Sequence, residues 1–170
     1  IAVSRAIGIP FETIKKGLLE FAGTDRRFQL KGKVNGFTII DDYAHHPQEI
    51  AATIATAKKY PHKKLWVLFQ PHTYSRTLAL MDDFAGALSQ ADEIILADIY
   101  AAREKNTVGV TSDDLLSQNT NVYYIPDFPS IQEFVLSHVE EGDLLITMGA
   151  GNIVEVGEEL LSLPGAERAK

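Results

Sequence analysis

The segment "DDYAHHP", residues 41–47, places two acids, a tyrosine and two adjacent histidines in one short stretch. It follows the apolar run 37–40 and precedes residues with helical spacing, so it lies where a strand gives way to a helix. Pro47 suits the first turn of that helix, because its missing N–H is not needed there. His45 and His46 therefore lie just before a helix N-terminus, whose free N–H groups favour an anion. The segment predicts a site for a carboxylate or a phosphate.

The acids of this segment have two possible uses. Asp41 or Asp42 can accept a hydrogen bond from a ribose hydroxyl or from a neighbouring arginine. Alternatively, Asp42 caps a turn and one of the histidines packs under the sheet. Each single residue fits both alternatives, whereas the whole set favours a site.

A second segment, "QPHTYSR" (70–76), also follows an apolar run. Arg76 opens the next helix, where an arginine can hold a carboxylate through two hydrogen bonds. The alternative is a surface salt bridge to Asp82 or Asp83. His72 is ambiguous, because a lone histidine in such a loop is as often structural as functional.

Two further loops are "DIYAAREKN" (98–106) and "MGAGN" (148–152). Gly149 and Gly151 lie between a buried strand and a helix. They either let the backbone approach a ligand closely or serve close packing of strand and helix. A single G-x-G is too common to decide between these uses.

Apolar periodicity predicts strands that alternate with helices. A continuous apolar run such as "KLWVLFQ" (64–70) is typical of a strand buried on both faces, and apolar residues three and four apart indicate a helix. The pair Asn35-Gly36 between two strand-like runs is a hairpin signal. The predicted strands are 28–33, 37–43, 64–70, 93–99, 122–125 and 143–150, and the predicted helices are 48–59, 76–90, 113–118, 131–139 and 153–161.

This order of elements predicts an α/β fold, with a Rossmann-like, mostly parallel sheet and helices on both faces. The initial hairpin adds one antiparallel edge strand. Ligands bind at the carboxyl ends of the strands in such sheets, and all four polar loops follow strands. We therefore expect the loops to meet in one site at that edge.

Composition excludes several classes of protein. The chain has 170 residues, a formal net charge of −7 and no cysteine. The length suits one main domain with a short appendage, and the lack of cysteine excludes disulfides and thiolate chemistry. An acidic chain binds phosphate backbones poorly, so no nucleic-acid partner is expected. No apolar run is long enough to span a bilayer, so no membrane association is expected.

Motifs for metals and triphosphates are missing from the sequence. His45, His46 and His72 have neither H-x-H nor H-E-x-x-H spacing, so no metal site is expected. There is no G-x-x-x-x-G-K-[ST] phosphate loop and no nucleophile elbow. If the chain takes part in ATP chemistry, another domain must hold the phosphates.

The two ends of the sequence differ from the rest. Residues 1–23 begin within an apolar, helix-like pattern that has no N-cap, which suggests the end of a preceding domain. The final residues, 164–170, are polar and are expected to be frayed.

Four motifs together resemble the C-terminal domain of the Mur ligases: "DDYAHHPQEI", "FQPHTYSRT", "DIYAARE" and "MGAGNI". The stretch "GTDRRFQLKG" (23–32) is similar to the junction between the central and C-terminal domains of that family. The resemblance covers essentially the whole chain, and its first two motifs are the specific ones. It implies a remnant of the central, ATP-binding domain at 1–23 and a C-terminal domain at 24–170.

The resemblance is strongest to Mur ligases that join L-alanine to UDP-N-acetylmuramate in peptidoglycan biosynthesis. It implies a three-domain, cytoplasmic, ATP-dependent carboxylate–amine ligase that works through an acyl phosphate. The implied partners are UDP-N-acetylmuramate, L-alanine, ATP and the N-terminal and central domains of the same chain. In that family Mg²⁺ and the phosphate loop belong to the central domain. This chain alone would therefore hold no tightly bound cofactor and would be inactive.

The resemblance also implies residue roles. Arg27, or its neighbour Arg26, would reach toward the phosphates from the junction, and Asp42 and Tyr43 would lie on the nucleotide side. The implied catalytic residues are His45 and Arg76, and the implied substrate-binding residues are Tyr43, His45, His72, Arg76 and Arg103.

The two adjacent histidines are expected to differ. Adjacent residues that leave a strand point to opposite sides, so both cannot face one ligand. We expect His45 to face the cleft. His46 would turn toward the helix N-terminus, where it orders the turn or packs beneath it.

One position departs from the family pattern. Related ligases often carry an arginine where this chain has Thr73. Either Arg76 alone holds the amino-acid carboxylate, or Arg103 substitutes for the missing cation.

A second hypothesis is a stand-alone Rossmann-like module that binds a nucleotide or has a regulatory role. The two hypotheses differ in what is encoded before Ile1, because a phosphate loop there would indicate the ligase.

Overall fold

The computed structural model of the chain describes residues 1–21, 23–118 and 121–169. Within them, helices flank a seven-stranded sheet. The strands are β1 (Gln29–Val34), β2 (Phe37–Asp42), β3 (Leu65–Phe69), β4 (Glu93–Leu96), β5 (Val122–Tyr124), β6 (Leu144–Met148) and β7 (Glu167–Arg168). The helices are α1 (Ala2–Ala6), α2 (Phe11–Glu20), α3 (Pro47–Ala57), α4 (Tyr74–Ala79), α5 (Met81–Leu88), α6 (Phe128–His138) and α7 (Val154–Leu160), and a 3₁₀ helix covers Ser112–Gln118.

The strands lie in the order β5-β4-β3-β6-β2-β1-β7. Those from β5 to β2 pair in parallel, whereas β1 is antiparallel to β2 and β7 to β1. The turn between β1 and β2 has Asn35 and Gly36 at φ 48° and 85°, and a type I′ hairpin turn requires positive φ at both positions. The predicted α/β fold, with a mostly parallel sheet and an antiparallel hairpin, is confirmed.

Apolar side chains fill the space between the sheet and the helices on both of its faces. Along β3, Val67 belongs to the cluster that packs against α3 and α5, and Leu68 to the cluster that packs against α6 and α7. This alternation follows from the two-residue period of a strand. All five residues of β3 and of β6 are buried, as the continuous apolar runs predict for strands covered on both faces.

The sheet places the polar loops at one edge. The last residue of β6, Met148, pairs with Asp42 at the end of β2 and with Phe69 at the end of β3. Phe69 in turn pairs with Leu96 at the end of β4. Because these four strands are parallel and end at the same level, the segments that follow them share one edge of the sheet.

The predicted helix 76–90 is wrong as a single element, because the structure has two shorter helices there. Helix α4 ends at Ala79 and α5 begins at Met81. Leu80 between them has φ −122° and ψ 24°, outside the helical range. Asp82 and Asp83 occupy the first turn of α5, where acidic side chains are favoured by the helix dipole.

The expectation of a frayed C-terminal end is also wrong for residues 167–169. Glu167 and Arg168 pair with Lys33 and Gly32 of β1, and the amide of Ala169 donates to the carbonyl of Lys31 at 2.9 Å. A mainly polar segment can still satisfy its backbone on an open sheet edge. Residue 170 lies outside the described residues.

Helices α1 and α2 bury little of their surface. Ile14 is the buried residue of α2 at 8% exposure. Val3, Phe11 and Leu19 are 75%, 56% and 79% exposed. The predicted boundary between 23 and 24 stays a prediction, and Ala22 beside it lies outside the described residues.

Across the described ranges, no helix combines the length and the apolar character needed to cross a membrane.

Candidate functional site

The loops after β2, β3, β4 and β6 meet, as predicted. The imidazole of His72 stacks on the ring of Tyr100, with centroids 5.5 Å apart and planes at 25°. The ring centroid of His45 lies 6.0 Å from that of His72. Gly151 lies against the same group, since a Cβ there would be 2.3 Å from Gln70 Oε1 and 2.8 Å from Tyr100 Cγ.

Hydrogen bonds hold the loops after β3 and β4 together. The amide of Tyr100 donates to Pro71 O at 2.8 Å, and the amide of Thr73 donates to Tyr100 O at 2.9 Å. Ser75 donates through its amide and its hydroxyl to the carboxylate of Glu104, at 2.9 and 2.5 Å. Thr73 has φ 70°, a conformation that is strained for a β-branched residue. Such strain is typical of functional sites.

Three buried polar atoms at this edge have no hydrogen-bond partner in the described part of the chain. They are Gln70 Oε1, His72 Nδ1 and Arg76 Nη1. Leaving a buried polar group without a partner costs about 1–3 kcal/mol, so such groups require a reason. A polar ligand that accepts from the arginine and donates to the amide oxygen would supply these missing bonds.

The imidazole of His72 is held in its neutral form. Burial lowers its pKa below the ordinary value of 6.5, and the nearby charges of Arg76 and His45 lower it further, against a smaller opposite effect of Glu104. A neutral imidazole carries one donor and one acceptor nitrogen. His72 can therefore accept as well as donate a hydrogen bond near pH 7.

The ring of His45 is oriented by its own turn. Its Nδ1 lies 3.0 Å from the carbonyl oxygen of Tyr43, an acceptor, so this nitrogen carries the proton. The backbone amide of His45 donates to Glu49 Oε2 at 3.1 Å. That the second ring nitrogen faces the cleft stays a prediction. The predicted catalytic role of His45 stays a prediction.

We expected His46 either to order the turn or to pack beneath it, and the second alternative is wrong. Its side chain is exposed, and its contribution to α3 is a carbonyl that accepts from the amide of Ile50 at 3.0 Å. The space under the helix start is occupied by Pro47 and Ile50, which are both buried. His46 instead borders an open groove of about 400 Å³ between α3 and α5.

Both aspartates of the opening segment are buried and paired. Asp42 accepts from the amides of Phe28 and Ala44, at 2.7 and 2.8 Å, which corresponds to the turn-capping alternative. A nucleotide contact by Asp42 stays a prediction. Asp41 accepts from Thr147 Oγ1 at 2.7 Å and from Arg26 Nε at 3.0 Å. Burial raises the pKa of Asp41, although both hydrogen bonds oppose that rise.

The two adjacent arginines differ in their surroundings. The guanidinium of Arg26 is engaged within the protein by Asp41 and by carbonyls of the loop after β6. Arg27 is exposed, and its guanidinium carbon lies 5.9 Å from the centroid of the Tyr43 ring. Of the two, Arg27 is thus the one available to a nucleotide. The nucleotide roles of Arg27 and Tyr43 stay predictions.

The glycines of "MGAGN" serve close packing. A Cβ on Gly149 would lie 2.8 Å from Gln70 O, and one on Gly151 would lie still closer to Gln70 Oε1. A ligand is therefore not needed to explain either glycine. Arg103 is exposed in the loop after β4, and its substrate-binding role stays a prediction.

Two residues of the site were not singled out from the sequence. Gln70 is 5% exposed and Tyr100 is 39% exposed. A polar residue directly after a fully apolar strand is a usable signal for Gln70. An aromatic residue inside a loop gives no comparable signal for Tyr100, because such residues occur at many surfaces.

A metal has no ligand set in the described part of the chain. No group of three His, Cys, Asp or Glu side chains there is arranged to hold an ion. His45 and His72 approach each other, but two imidazoles alone do not make a zinc site.

Comparison with known proteins assigns the chain to a family. The family model "Mur ligase, glutamate ligase domain" matches residues 26–151. The chain belongs to the Mur ligase family.

The similar curated proteins are ligases of one kind. The UDP-N-acetylmuramate–L-alanine ligase of Agathobacter rectalis is 59% identical over 165 residues, which cover 95% of this chain and 36% of that protein. The protein of the same name from Lachnospira eligens is 54% identical with the same coverage. The chain spans about a third of the length of these relatives.

Solved structures agree with the fold. The UDP-N-acetylmuramate-alanine ligase of Thermotoga maritima superposes with a TM-score of 0.75 at 28% identity, over 95% of this chain and 35% of that protein. A bifunctional folylpolyglutamate synthase/dihydrofolate synthase from Yersinia pestis superposes with a TM-score of 0.68 at 18% identity, over 91% of this chain and 35% of that one. At that identity the second likeness shows the fold alone.

Proposed function

We propose that this chain is the C-terminal, substrate- and nucleotide-closing domain of an ATP-dependent ligase that joins L-alanine to UDP-N-acetylmuramate. The names of relatives at 54–59% identity support this proposal over a stand-alone nucleotide-binding or regulatory module. The observation that carries it is the set of unpartnered polar atoms on Gln70, His72 and Arg76. The reaction belongs to peptidoglycan biosynthesis in the cytoplasm.

The proposed reaction makes an amide in two steps. ATP phosphorylates the carboxylate of UDP-N-acetylmuramate, which gives an acyl phosphate. The amine of L-alanine then attacks the acyl carbon, so that a C–N bond forms, the C–O bond to phosphate breaks, and the amine loses a proton. Substrates and intermediate all carry negative charge, so fixed donors around them lower the barrier.

An α-amino acid carries the hydrogen-bonding groups that the three unpartnered atoms need as partners. Its carboxylate can accept from Arg76 Nη1, and the charge-assisted bond is stronger than a neutral one. Its ammonium or amine group can donate to Gln70 Oε1 or to a ring nitrogen of His72. This set of one cation and two acceptors distinguishes an amino acid from a simple anion.

His45 and Arg103 complete the proposed substrate side. The free ring nitrogen of His45 faces the reacting carboxylates, in line with its 6.0 Å separation from the ring of His72. Arg103, exposed on the loop after β4, offers a second cation for the carboxylate in place of the arginine that related ligases carry at position 73.

The nucleotide is proposed to lie against Arg27, Asp42 and Tyr43. Mg²⁺ does not fit the part of this chain that the structure describes, which has no cluster of metal-ligating side chains. The P-loop and Mg²⁺ are expected in a central domain. The apolar residues exposed on α1 and α2 suit packing against that domain.

A phosphate-release assay tests the proposal. The full-length protein that contains this chain should release phosphate from ATP when both UDP-N-acetylmuramate and L-alanine are present, and glycine or D-alanine should replace L-alanine poorly. This chain alone should give no turnover, because positioning by the other domains contributes many orders of magnitude to such a rate. Full-rate turnover by this chain, or indifference of the full-length protein to L-alanine, would refute the proposal.

A further inference from the structure

Arg26 makes an unusual number of contacts for a partly exposed arginine. Its Nε donates to Asp41 Oδ2 at 3.0 Å. Its two terminal nitrogens donate to main-chain carbonyls, Nη1 to Gly151 O at 3.2 Å and Nη2 to Gly149 O at 2.7 Å. The guanidinium carbon also lies 4.8 Å from the centroid of the Tyr43 ring.

The backbone of Arg26 is fixed as firmly as its side chain. Its carbonyl accepts from the amide of Tyr43 at 2.8 Å, and its amide donates to Gln29 Oε1 at 3.1 Å. The residue has φ 57°, in the left-handed region that few non-glycine residues adopt. Such a conformation persists where the surroundings determine it.

The glycine loop, residues 149–151, is held on two sides. Arg26 binds the carbonyls of both glycines. On the other side of the loop, Gly151 approaches Gln70 Oε1 and the Tyr100 ring so closely that a Cβ would overlap both. Gln70 Nε2 also donates to Asn152 Oδ1, at 3.2 Å, directly after the loop.

Tyr100 in turn determines where the ring of His72 lies. The two rings stack at 5.5 Å, and the two residues form a parallel β-bridge. A shift of the glycine loop toward Tyr100 would therefore move the imidazole whose Nδ1 has no partner among the described residues.

We propose that Arg26 is a positioning residue for the amino-acid subsite, which it acts on through the glycine loop, Tyr100 and His72. The inference rests on the proposed function for the identity of the ligand, an α-amino acid. Arg26 thereby ties the segment before β1 to the ring of His72. Its neighbour Arg27 also approaches the Tyr43 ring but is exposed, and its proposed role toward the nucleotide is separate.

The fork of the guanidinium is the feature that this role requires. Three nitrogens of its planar group bond to three separate acceptors, whereas an ammonium is a compact point charge on a flexible stem. Arg26→Lys keeps the positive charge beside the buried Asp41, so it avoids an unpaired buried carboxylate. Because one nitrogen replaces three that are spread over the fork, we expect it to lose at least one of the bonds to Asp41 and the two glycine carbonyls.

The first test uses NMR spectra of this chain. In ¹H–¹³C correlation spectra, the ring signals of His72 and Tyr100 should shift in Arg26→Lys and in Gly151→Ala. They should stay in place in Arg168→Gln, which removes an exposed arginine, and in Gly86→Ala, where a Cβ meets nothing within 4 Å. Unchanged His72 signals in both test variants would overturn the proposal, whatever the enzyme's substrate.

A second variant covers the case in which Arg26→Lys does not fold. Arg26→Gln combined with Asp41→Asn removes both charges of the ion pair, so neither is left buried without its partner. The same His72 and Tyr100 signals should shift in it. Spectra identical to those of Asp41→Asn alone would count against a positioning role.

The kinetic test uses the full-length protein. Arg26→Lys should lower kcat/KM for the amino acid by about 10- to 100-fold, as expected for a misplaced group, and leave KM for UDP-N-acetylmuramate unchanged. Shifted NMR signals with unaltered kinetics would mean that Arg26 orders the loop without serving the reaction, which contradicts the proposal. If the full-length protein ignores L-alanine, the proposed function fails, while the NMR result still decides whether Arg26 positions His72.

Discussion

The two ends of the sheet differ in how completely their buried polar groups are paired. The carboxyl end holds paired carboxylates, Asp41 and Asp42, beside groups that have no partner in the described chain, and the amino end shows only paired ones there. At the amino end of β6, Asp143 is 5% exposed and accepts from Trp66 Nε1 at 3.0 Å and from the amide of Glu140 at 3.1 Å. At the carboxyl end of the strands, Gln70, His72 and Arg76 each bury an atom without a partner in the described chain. Within the described residues, Asp143 is satisfied by the protein itself, whereas the three atoms at the carboxyl end are the ones that the proposed function assigns to a ligand.

This difference separates stability from function. A buried polar group with partners stabilises the fold and is costly to remove. A buried polar group without partners lowers stability, and proteins retain such groups mainly where binding or catalysis uses them. Substitutions at the two ends should therefore affect different measurements.

The largest effect is expected at Asp143. Asp143→Ala should lower the free energy of unfolding by about 2–4 kcal/mol, because Trp66 Nε1 and the amide of Glu140 lose their buried acceptor. Urea unfolding of this chain measures the loss. Asp143→Asn is the matched control, since its amide oxygen can still accept and the loss should be smaller. Equal stability of Asp143→Ala and the parent chain would contradict the structural role.

Arg76→Ala should show the opposite pattern. In the full-length protein, kcat/KM for L-alanine should fall by the equivalent of about 1.5–3 kcal/mol, the value of a charge-assisted hydrogen bond. The melting temperature of this chain should stay the same or rise, because an unpartnered buried donor is removed. A variant with normal kinetics and a much lower melting temperature would make Arg76 structural.

The adjacent histidines sharpen the comparison within one turn. His45→Ala should lower kcat/KM by the equivalent of about 1–3 kcal/mol, the effect of one lost hydrogen bond in a desolvated site. The free energy of unfolding should change little. His46→Ala should change both quantities by less than about 0.5 kcal/mol, as expected for an exposed side chain. Thermal melts of this chain and kinetics of the full-length protein give both values. An inactive His46 variant beside an active His45 variant would reverse the assignment of the two faces.

Apolar periodicity was sufficient to predict six of the seven strands and their order along the chain. Strands such as β3 and β6 are fully buried, so their composition alone reveals them. The pattern failed where the backbone rather than side chains decides the structure. The break at Leu80 has no breaker residue, and β7 pairs through its backbone while its two side chains stay exposed.

The site could be predicted only in part for a related reason. Residue types indicated the loops of His45 and Arg76, because imidazole and guanidinium groups after buried strands are informative. The sequence could not show that both carboxylate oxygens of Asp42 accept hydrogen bonds from backbone amides. Nor could it show that Arg26 turns inward while Arg27 stays exposed, since the left-handed φ values of Arg26 and Phe28 are not predicted by their residue types.

The smallest predicted effect concerns the pH dependence of stability. Burial, followed by the charges of Arg76 and His45, lowers the pKa of His72 below 6.5. Between pH 6.5 and the lower folded-state pKa, the unfolded chain therefore binds more protons than the folded chain. The stability associated with neutral His72 is fully present above pH 6.5 and is lost as the pH falls through the folded-state pKa.

His72→Gln should accordingly reduce the loss of unfolding free energy as the pH falls below 6.5. Unfolding free energies of this chain in urea, measured at intervals from pH 7.5 to pH 5, should fall less steeply for His72→Gln than for the parent. His46→Gln is the matched control, because its side chain is exposed and the slope should match that of the parent. Identical slopes for all three chains would show that His72 titrates alike in the folded and unfolded states. Burial of His72 would then carry no electrostatic cost, and this contrast with the paired Asp143 at the amino end of the sheet would disappear.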